Sequence, residues 1–308
     1  MDVVCRVQPT DSSDLGGTSA RYPLPGGRVA VATSRELPRA AWVASRLLGA
    51  SAYRLIAAGR RPDCAVLHRR EKAWARKAVS GLGIDLSIRG LEHIDPDERY
   101  VIVSLHEGFV DAVALMHLPL NLSWMVRDEL KEWRTLGRYL DATDQVVIQP
   151  ENVNSRDMLG ATVDTFARGD NLVVFPQGSI LGIEVAFCRG AGWLAEKTGR
   201  PILPIVLTGS HRVWEYPFSR LVRFGQSIEM EVLKPIRPED AEDAMDSVQQ
   251  EMKQIALSRQ RVPPRRYVPA RDGFWDGYRF DIDPSFPEVA AEVAAHRAIG
   301  SASDSRTR

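Results

Sequence analysis

Cysteine is scarce and scattered: three occur in 308 residues, Cys5, Cys64 and Cys188, and no two form a CxxC pair. An odd, widely spaced set favours neither a disulfide framework nor a zinc site, and it fits a reducing compartment. Long apolar runs are missing too. No stretch of about 18 uncharged apolar residues exists, so no membrane-spanning helix is expected. Residues 1–27 lack the basic and apolar regions of a signal peptide. Net charge is zero, with 40 basic and 40 acidic residues, and no basic tract is interleaved with aromatics, so nucleic acid is not an expected partner. Neither an HExxH zinc helix nor a GxxxxGK[ST] phosphate loop appears, and no Gly-x-Ser-x-Gly nucleophile elbow.

What is present has ordinary globular proportions, 44% hydrophobic and 26% charged, enough for one large domain or two small ones. Residues 1–34 are polar and Gly/Ser/Pro-rich and read as a mobile arm. Leu37 to Ala58 carries a helical pattern of Trp42, Val43, Leu47, Leu48, Tyr53, Leu55 and Ile56. A second helix is expected from Ala65 to Leu82, with Trp74 among Arg69, Arg70, Lys72, Arg76 and Lys77. Such a pair reads either as packing helices or as an element lying in a membrane interface among anionic head groups.

From Ile84 the pattern alternates between strand and helix. Strands are expected at 84–89, 100–105, 120–126, 146–148, 171–175, 202–207 and 228–233. Helices are expected at 154–167, 190–198 and 238–259, with a shorter one after Val110 that Pro119 must end. This order favours a mostly parallel central sheet flanked by helices. The resulting division is an arm (1–34), a two-helix element (35–83), an α/β domain (84–262) and a tail of unassigned role (263–308).

Two strand ends carry chemistry. Val101–Leu105 is a β-branched run that stops at His106, and Asp111 follows in the first turn of a helix. The carboxyl edge of an open α/β sheet is where ligands bind. A carboxylate at that distance can hold one imidazole nitrogen and leave the other to take a proton from a substrate hydroxyl. The bland alternative is a strand-end histidine that caps the helix. The second is Leu172–Phe175 entering Pro176-Gln177-Gly178-Ser179, a turn whose amides can face an anion or a developing oxyanion.

Four blocks in order resemble the glycerolipid acyltransferase family, which includes the lysophosphatidic acid (1-acylglycerol-3-phosphate) acyltransferases. They are His106-Glu107-Gly108-Phe109-Val110-Asp111; Arg127-Asp128-Glu129-Leu130 with Gly137; Phe175-Pro176-Gln177-Gly178-Ser179; and Gly199-Arg200-Pro201-Ile202-Leu203-Pro204-Ile205. The resemblance spans about residues 85–235. It implies His106 as base and Asp111 as its orienter, the catalytic pair. It implies acceptor and donor binding by Arg127, Glu129, Phe175, Pro176, Gln177, Gly178 and Ser179, with Arg212 or Arg189 as further candidates for the acceptor. The reaction it implies moves a fatty acyl group from an acyl-CoA or acyl-carrier-protein thioester to a lysophospholipid hydroxyl. No metal or other cofactor is implied, and the expected setting is the cytoplasmic face of a membrane, monotopic, docked by the two-helix element.

The chain departs from the family at Gln177, where Glu is usual, and at Ile180, where a phosphate-binding Arg is usual; a bidentate clamp is beyond isoleucine. The usual Ile-Asp-Arg ending of the second block reads Val147-Ile148-Gln149-Pro150-Glu151. These departures keep open another lysolipid acceptor and a non-catalytic lipid-binding protein on the same fold. Gly190-Ala191-Gly192-Trp193-Leu194-Ala195 also fits a dinucleotide fingerprint, although no strand leads directly into it. His117 is expected to pack, and Trp214-Glu215-Tyr216 to cover the core.

Overall fold

A computed structural model describes residues 64–108, 110–132, 134–149, 153–178, 183–213, 222–259, 281–291 and 293–295. The arm, the helix expected between Leu37 and Ala58, the side chain of Glu129, and Ser179, Ile180 and Trp214–Tyr216 lie outside the described residues.

Seven strands form one sheet: β1 (Asp85–Arg89), β2 (Val101–Ser104), β3 (Leu122–Arg127), β4 (Val146–Ile148), β5 (Asn171–Val174), β6 (Ile202–Thr208) and β7 (Ser227–Val232). Their spatial order is β1-β7-β6-β2-β5-β3-β4. All neighbours pair in parallel except β6 and β7. The carboxyl ends of β6, β2, β5 and β3 therefore lie side by side on one edge, and that edge collects the chemistry.

The helices are α1 (Cys64–Leu82), α2 (Val110–Leu115), α3 (Arg134–Ala142), α4 (Ser155–Ala167), α5 (Gly190–Thr198) and α6 (Ala241–Ser258). Strand residues alternate between two cores because successive side chains point to opposite faces. Ile102, Val173, Leu203 and Ile205 pack on one side with Ala75, Ala78 and Leu82 of α1 and Val113 and Leu115 of α2. Val101, Val103, Leu172 and Val206 pack on the other with Met158 of α4, Leu194 of α5 and Met245 and Met252 of α6. The four strands β2, β3, β5 and β6 start almost wholly buried, as expected of parallel strands covered on both faces.

Helix α3 is an addition to the expected pattern. It is nine residues long, and Gly137 inside it lowers its intrinsic helix propensity. The glycine fingerprint resolves as helix packing. A Cβ on Gly192 would meet Ala241 O at 2.7 Å and Glu242 Cα at 2.8 Å, so α5 needs glycine to approach α6. The dinucleotide reading falls with it, because residues 183–189 and not a strand of the sheet precede α5.

Helix α1 spends its apolar face on the sheet. Trp74 packs half-buried against the core, and the outer face carries exposed Arg69, Arg70, Arg76 and Lys77. Its aromatic side is thus committed to the protein, and only its basic side remains for a surface. Among the described residues no helix is long and apolar enough to cross a membrane.

At the sheet's amino edge α1 is held by a buried polar cluster. His68 Nε2 lies 2.8 Å from Asp170 Oδ1 and His68 Nδ1 lies 2.9 Å from Glu71 Oε2. Ser123 Oγ donates to Asp170 at 2.9 Å, and the Tyr139 hydroxyl donates to Glu71. Burial disfavours the imidazolium, but the hydrogen bonds and charges of Asp170 and Glu71 outweigh it and push the His68 pKa up to about 9 from 6.5. The folded value lies above the unfolded one, so this stabilisation is complete below pH 6.5 and is lost as pH rises through 9. At about 1.4 kcal/mol per pKa unit the loss is of order 3 kcal/mol. Urea midpoints measured between pH 6 and 9.5 are expected to fall in the wild type and to stay nearly flat in His68→Gln. Parallel pH profiles for the two proteins would refute the assignment.

The carboxyl-terminal segment is docked as well. Val185 and Ile282 form an antiparallel bridge, and Asp283 N donates to Glu184 O at 2.8 Å. Lys253 of α6, 3% exposed, reaches Asp283 Oδ2 at 2.6 Å and Val185 O at 2.8 Å. Part of the tail thus covers the chain that follows the third block.

Candidate active site

The site is built where β2 ends. His106 Nδ1 donates to Asp111 Oδ2 at 2.7 Å. The same oxygen accepts Glu107 N at 2.7 Å and Gly108 N at 2.9 Å. The Asp111 side chain is fully buried, while His106 keeps 21% of its side chain exposed. One nitrogen of the ring is fixed by a carboxylate, which leaves Nε2 as the proton acceptor of the neutral ring. The ring also stacks on Phe175, with centroids 3.9 Å apart and planes 15° apart. Trp124 of β3 lies parallel behind Phe175, with centroids 6.4 Å apart. The strand order β2-β5-β3 is what puts these three rings in a row.

Gln177 explains how one departure is tolerated. It is buried, and its Oε1 accepts His106 N at 2.7 Å. That bond needs an acceptor and not a charge, so an amide serves where the related proteins use a carboxylate. Gly178 follows with φ of 67°, a left-handed backbone open to glycine, and its surroundings are empty enough for a side chain. Its amide closes the turn onto Phe175 O at 3.0 Å. That bond already engages the Gly178 amide within the turn. Pro176 is buried, and its carbonyl accepts Cys188 N at 2.7 Å.

The end of β6 supplies Gly209 and Ser210, which the motif reading passed over, and His211, a weaker acceptor-site candidate beside Arg212. Ser210 donates to Asp111 Oδ1. Glu107 Oε2 accepts Gly209 N at 2.8 Å and His211 Nδ1 at 2.9 Å. The only sequence hint was position, since residues 209–212 follow a buried strand just as His106 does.

The cationic candidates separate. Arg127 ends β3 on the same edge, half-buried, two strand spacings or about 10 Å from β2. Glu129 lies in the one-turn helix Asp128–Glu132 that follows. Arg212 is exposed at the end of Ser210–Arg212. Arg189 instead pairs with Asp246 of α6 at 2.6 Å, which offsets its charge. His117 donates Nδ1 to Val113 O at 2.9 Å and closes the end of α2, as expected of a packing residue.

Comparison with known proteins follows the same ground. A family model described as Acyltransferase matches residues 85–208. A 1-acyl-sn-glycerol-3-phosphate acyltransferase of Bacillus subtilis (strain 168) is 25% identical over 139 residues, 44% of this chain and 69% of that one. The mouse (Mus musculus) protein named 1-acyl-sn-glycerol-3-phosphate acyltransferase alpha is 27% identical over 180 residues, 55% of this chain and 63% of that one.

Residues 85–208 belong to the acyltransferase family.

The Limnanthes alba relative of the same name is 28% identical over 137 residues, and the match covers 48% of its length. The crystal structure of the 1-acyl-sn-glycerophosphate (LPA) acyltransferase PlsC from Thermotoga maritima superimposes with a TM-score of 0.60. The match covers 73% of this chain and 96% of that one at 16% identity, so it speaks for the acyltransferase fold. The His106–Asp111 pair and the turn at Phe175–Gly178 both fall inside the family match.

Proposed function

We propose that this protein transfers a fatty acyl group from a thioester, acyl-CoA or acyl-carrier protein, to the free hydroxyl of 1-acyl-sn-glycerol-3-phosphate in phospholipid synthesis. The observation that carries the reading is the Asp111-held His106 at the carboxyl edge of β2, with 21% of its side chain exposed. The names of the relatives supply the acceptor.

His106 Nε2 takes the hydroxyl proton as the acceptor oxygen attacks the thioester carbonyl. The tetrahedral intermediate collapses with loss of the C–S bond, and the thiolate takes the proton back from His106. Asp111 stabilises the imidazolium between these two transfers. Phe175 supports the ring's orientation by stacking, and Gln177 fixes the backbone beneath it. Arg127, Glu129, Ser179 and Arg212 are the proposed contacts of the acceptor's phosphate and the donor. The reaction needs no cofactor beyond the acyl thioester. We place it at the cytoplasmic face of a membrane, monotopic, with the basic outer face of α1 and the residues before it toward anionic head groups.

The test is turnover by purified protein of mixed lysolipids with both thioester donors, read by mass spectrometry. Phosphatidate as the main product is expected, and Arg127→Ala is expected to raise the acceptor KM about tenfold with a smaller fall in kcat. Robust acylation of a lysolipid with a larger head group, without lysophosphatidate turnover, would move the acceptor and keep the enzyme class. No acylation of any lysolipid would overturn the reading.

A further inference from the structure

We infer that Ser210 is a positioning residue of this site, the second arm that sets the rotation of the Asp111 carboxylate; the inference rests on the function proposed above. The two oxygens of Asp111 have different partners. Oδ2 accepts His106 Nδ1, Glu107 N and Gly108 N, all from the loop after β2. Oδ1 accepts the hydroxyl of Ser210, from the turn after β6. With Asp111 and Ser210 both fully buried, water does not replace a lost partner at low cost. The Ser210 hydroxyl therefore decides which way the carboxylate plane faces, and that plane decides how well Nδ1 of His106 is held while Nε2 works.

The arm is itself braced on both sides. Glu107, the neighbour of His106, accepts hydrogen bonds through Oε2 from Gly209 N and from His211 Nδ1. Ser210 lies between these two anchored residues, so its hydroxyl is delivered from a fixed backbone. Gly209 has φ of 96°, and a Cβ there would sit 2.5 Å from Ser227 O, so the turn is open to glycine alone. Strands β2 and β6 pair directly, with Ser104 opposite Ile205, and this adjacency brings the two loops together. A positioned side chain fixed by a second set of hydrogen bonds is the general requirement for a base that must hold one geometry.

The experiment measures kcat and KM for both substrates in wild type, Ser210→Ala, Ser210→Thr, Asp111→Asn and the Ser210→Ala/Asp111→Asn double variant, with thermal midpoints recorded for each. Ser210→Ala is expected to lose roughly tenfold or more in kcat, as for a hydrogen bond to a charged group, with both KM values within about twofold. Ser210→Thr, which keeps the hydroxyl, is expected to recover most of the rate. In the Asp111→Asn background the Ser210→Ala loss is expected to be several-fold smaller than in the wild type, because the charge that Ser210 orients toward His106 is gone and only the amide's orientation is left to lose. Should the extra methyl of threonine fail to fit, the double-variant cycle decides. Unchanged kcat in a folded Ser210→Ala protein, or losses that multiply in the double variant, would overturn the inference. Wild-type turnover together with an inactive His106→Ala keeps the functional reading standing in that event; absent wild-type turnover removes both.

Discussion

His106→Ala is expected to abolish acyl transfer, by about 10³-fold or more, while leaving the fold in place. The side chain is 21% exposed, so solvent can enter the space its loss leaves. The backbone N–H that Gln177 holds is retained by any residue at 106. Asp111→Asn is the sharper partner experiment. An asparagine can keep its carbonyl toward Glu107 N, Gly108 N and His106 Nδ1 and turn its amide to Ser210, whose hydroxyl can accept as well as donate. The loop then survives and only the charge is lost. The expected fall is about 10²-fold or more in kcat, since the imidazolium formed in the first proton transfer loses its counter-ion. Steady-state kinetics beside circular dichroism check both. A folded His106→Ala protein with near wild-type turnover would favour a lipid-binding role over an enzymatic one.

Lys253→Ala is expected to cost about 3–5 kcal/mol of stability, the usual consequence of removing one member of a buried ion pair. Lys253 is 3% and Asp283 5% exposed. The ammonium also lies 5.3 Å from the Phe187 ring centroid and 5.9 Å from that of Phe286. Burial lowers the Lys253 pKa despite the nearby carboxylates. Burial also opposes ionisation of Asp283, but the bonds from Lys253 and Ser285 prevail and hold its pKa below the usual value. Removal of the lysine leaves Asp283 with Ser285 as its remaining support. Hydrogen exchange should show residues 281–295 opening first, and chemical denaturation should give the magnitude. Replacing both partners by apolar residues is expected to recover much of the loss, because no charge is then stranded. A Lys253→Ala protein within about 1 kcal/mol of wild type would show that the segment is held by its backbone bridge and apolar contacts instead.

Local order was legible because neighbours in the chain encode it. The strands at 146–148 and 171–174 and the helices at 155–167 and 190–198 stand where apolar periodicity and breaking residues put them. Each such segment is recognised from its own few residues. The His106–Asp111 contact was legible for the same reason, since five residues separate its members and a strand end joins a helix start between them. Helix α3 was not, because a nine-residue segment with an internal glycine has low intrinsic helix propensity.

Long-range partnerships came only with the sheet. Gln177 reaches His106 across 71 residues, Ser210 reaches Asp111 across 99, and His211 reaches Glu107 across 104. None of these pairs has a sequence spacing that announces it. They exist because the strand order is β6-β2-β5, which sets three strand ends beside one another. The sequence by itself determined the α/β alternation, the closeness of His106 and Asp111, and the resemblance to a family. The tertiary structure decided which side chains hold that pair, that α1 turns its aromatic face inward, and that residues 281–283 dock on residues 184–186. Hydrophobic patterning specifies which face of each element is buried, but the choice of neighbour depends on how all the elements pack at once.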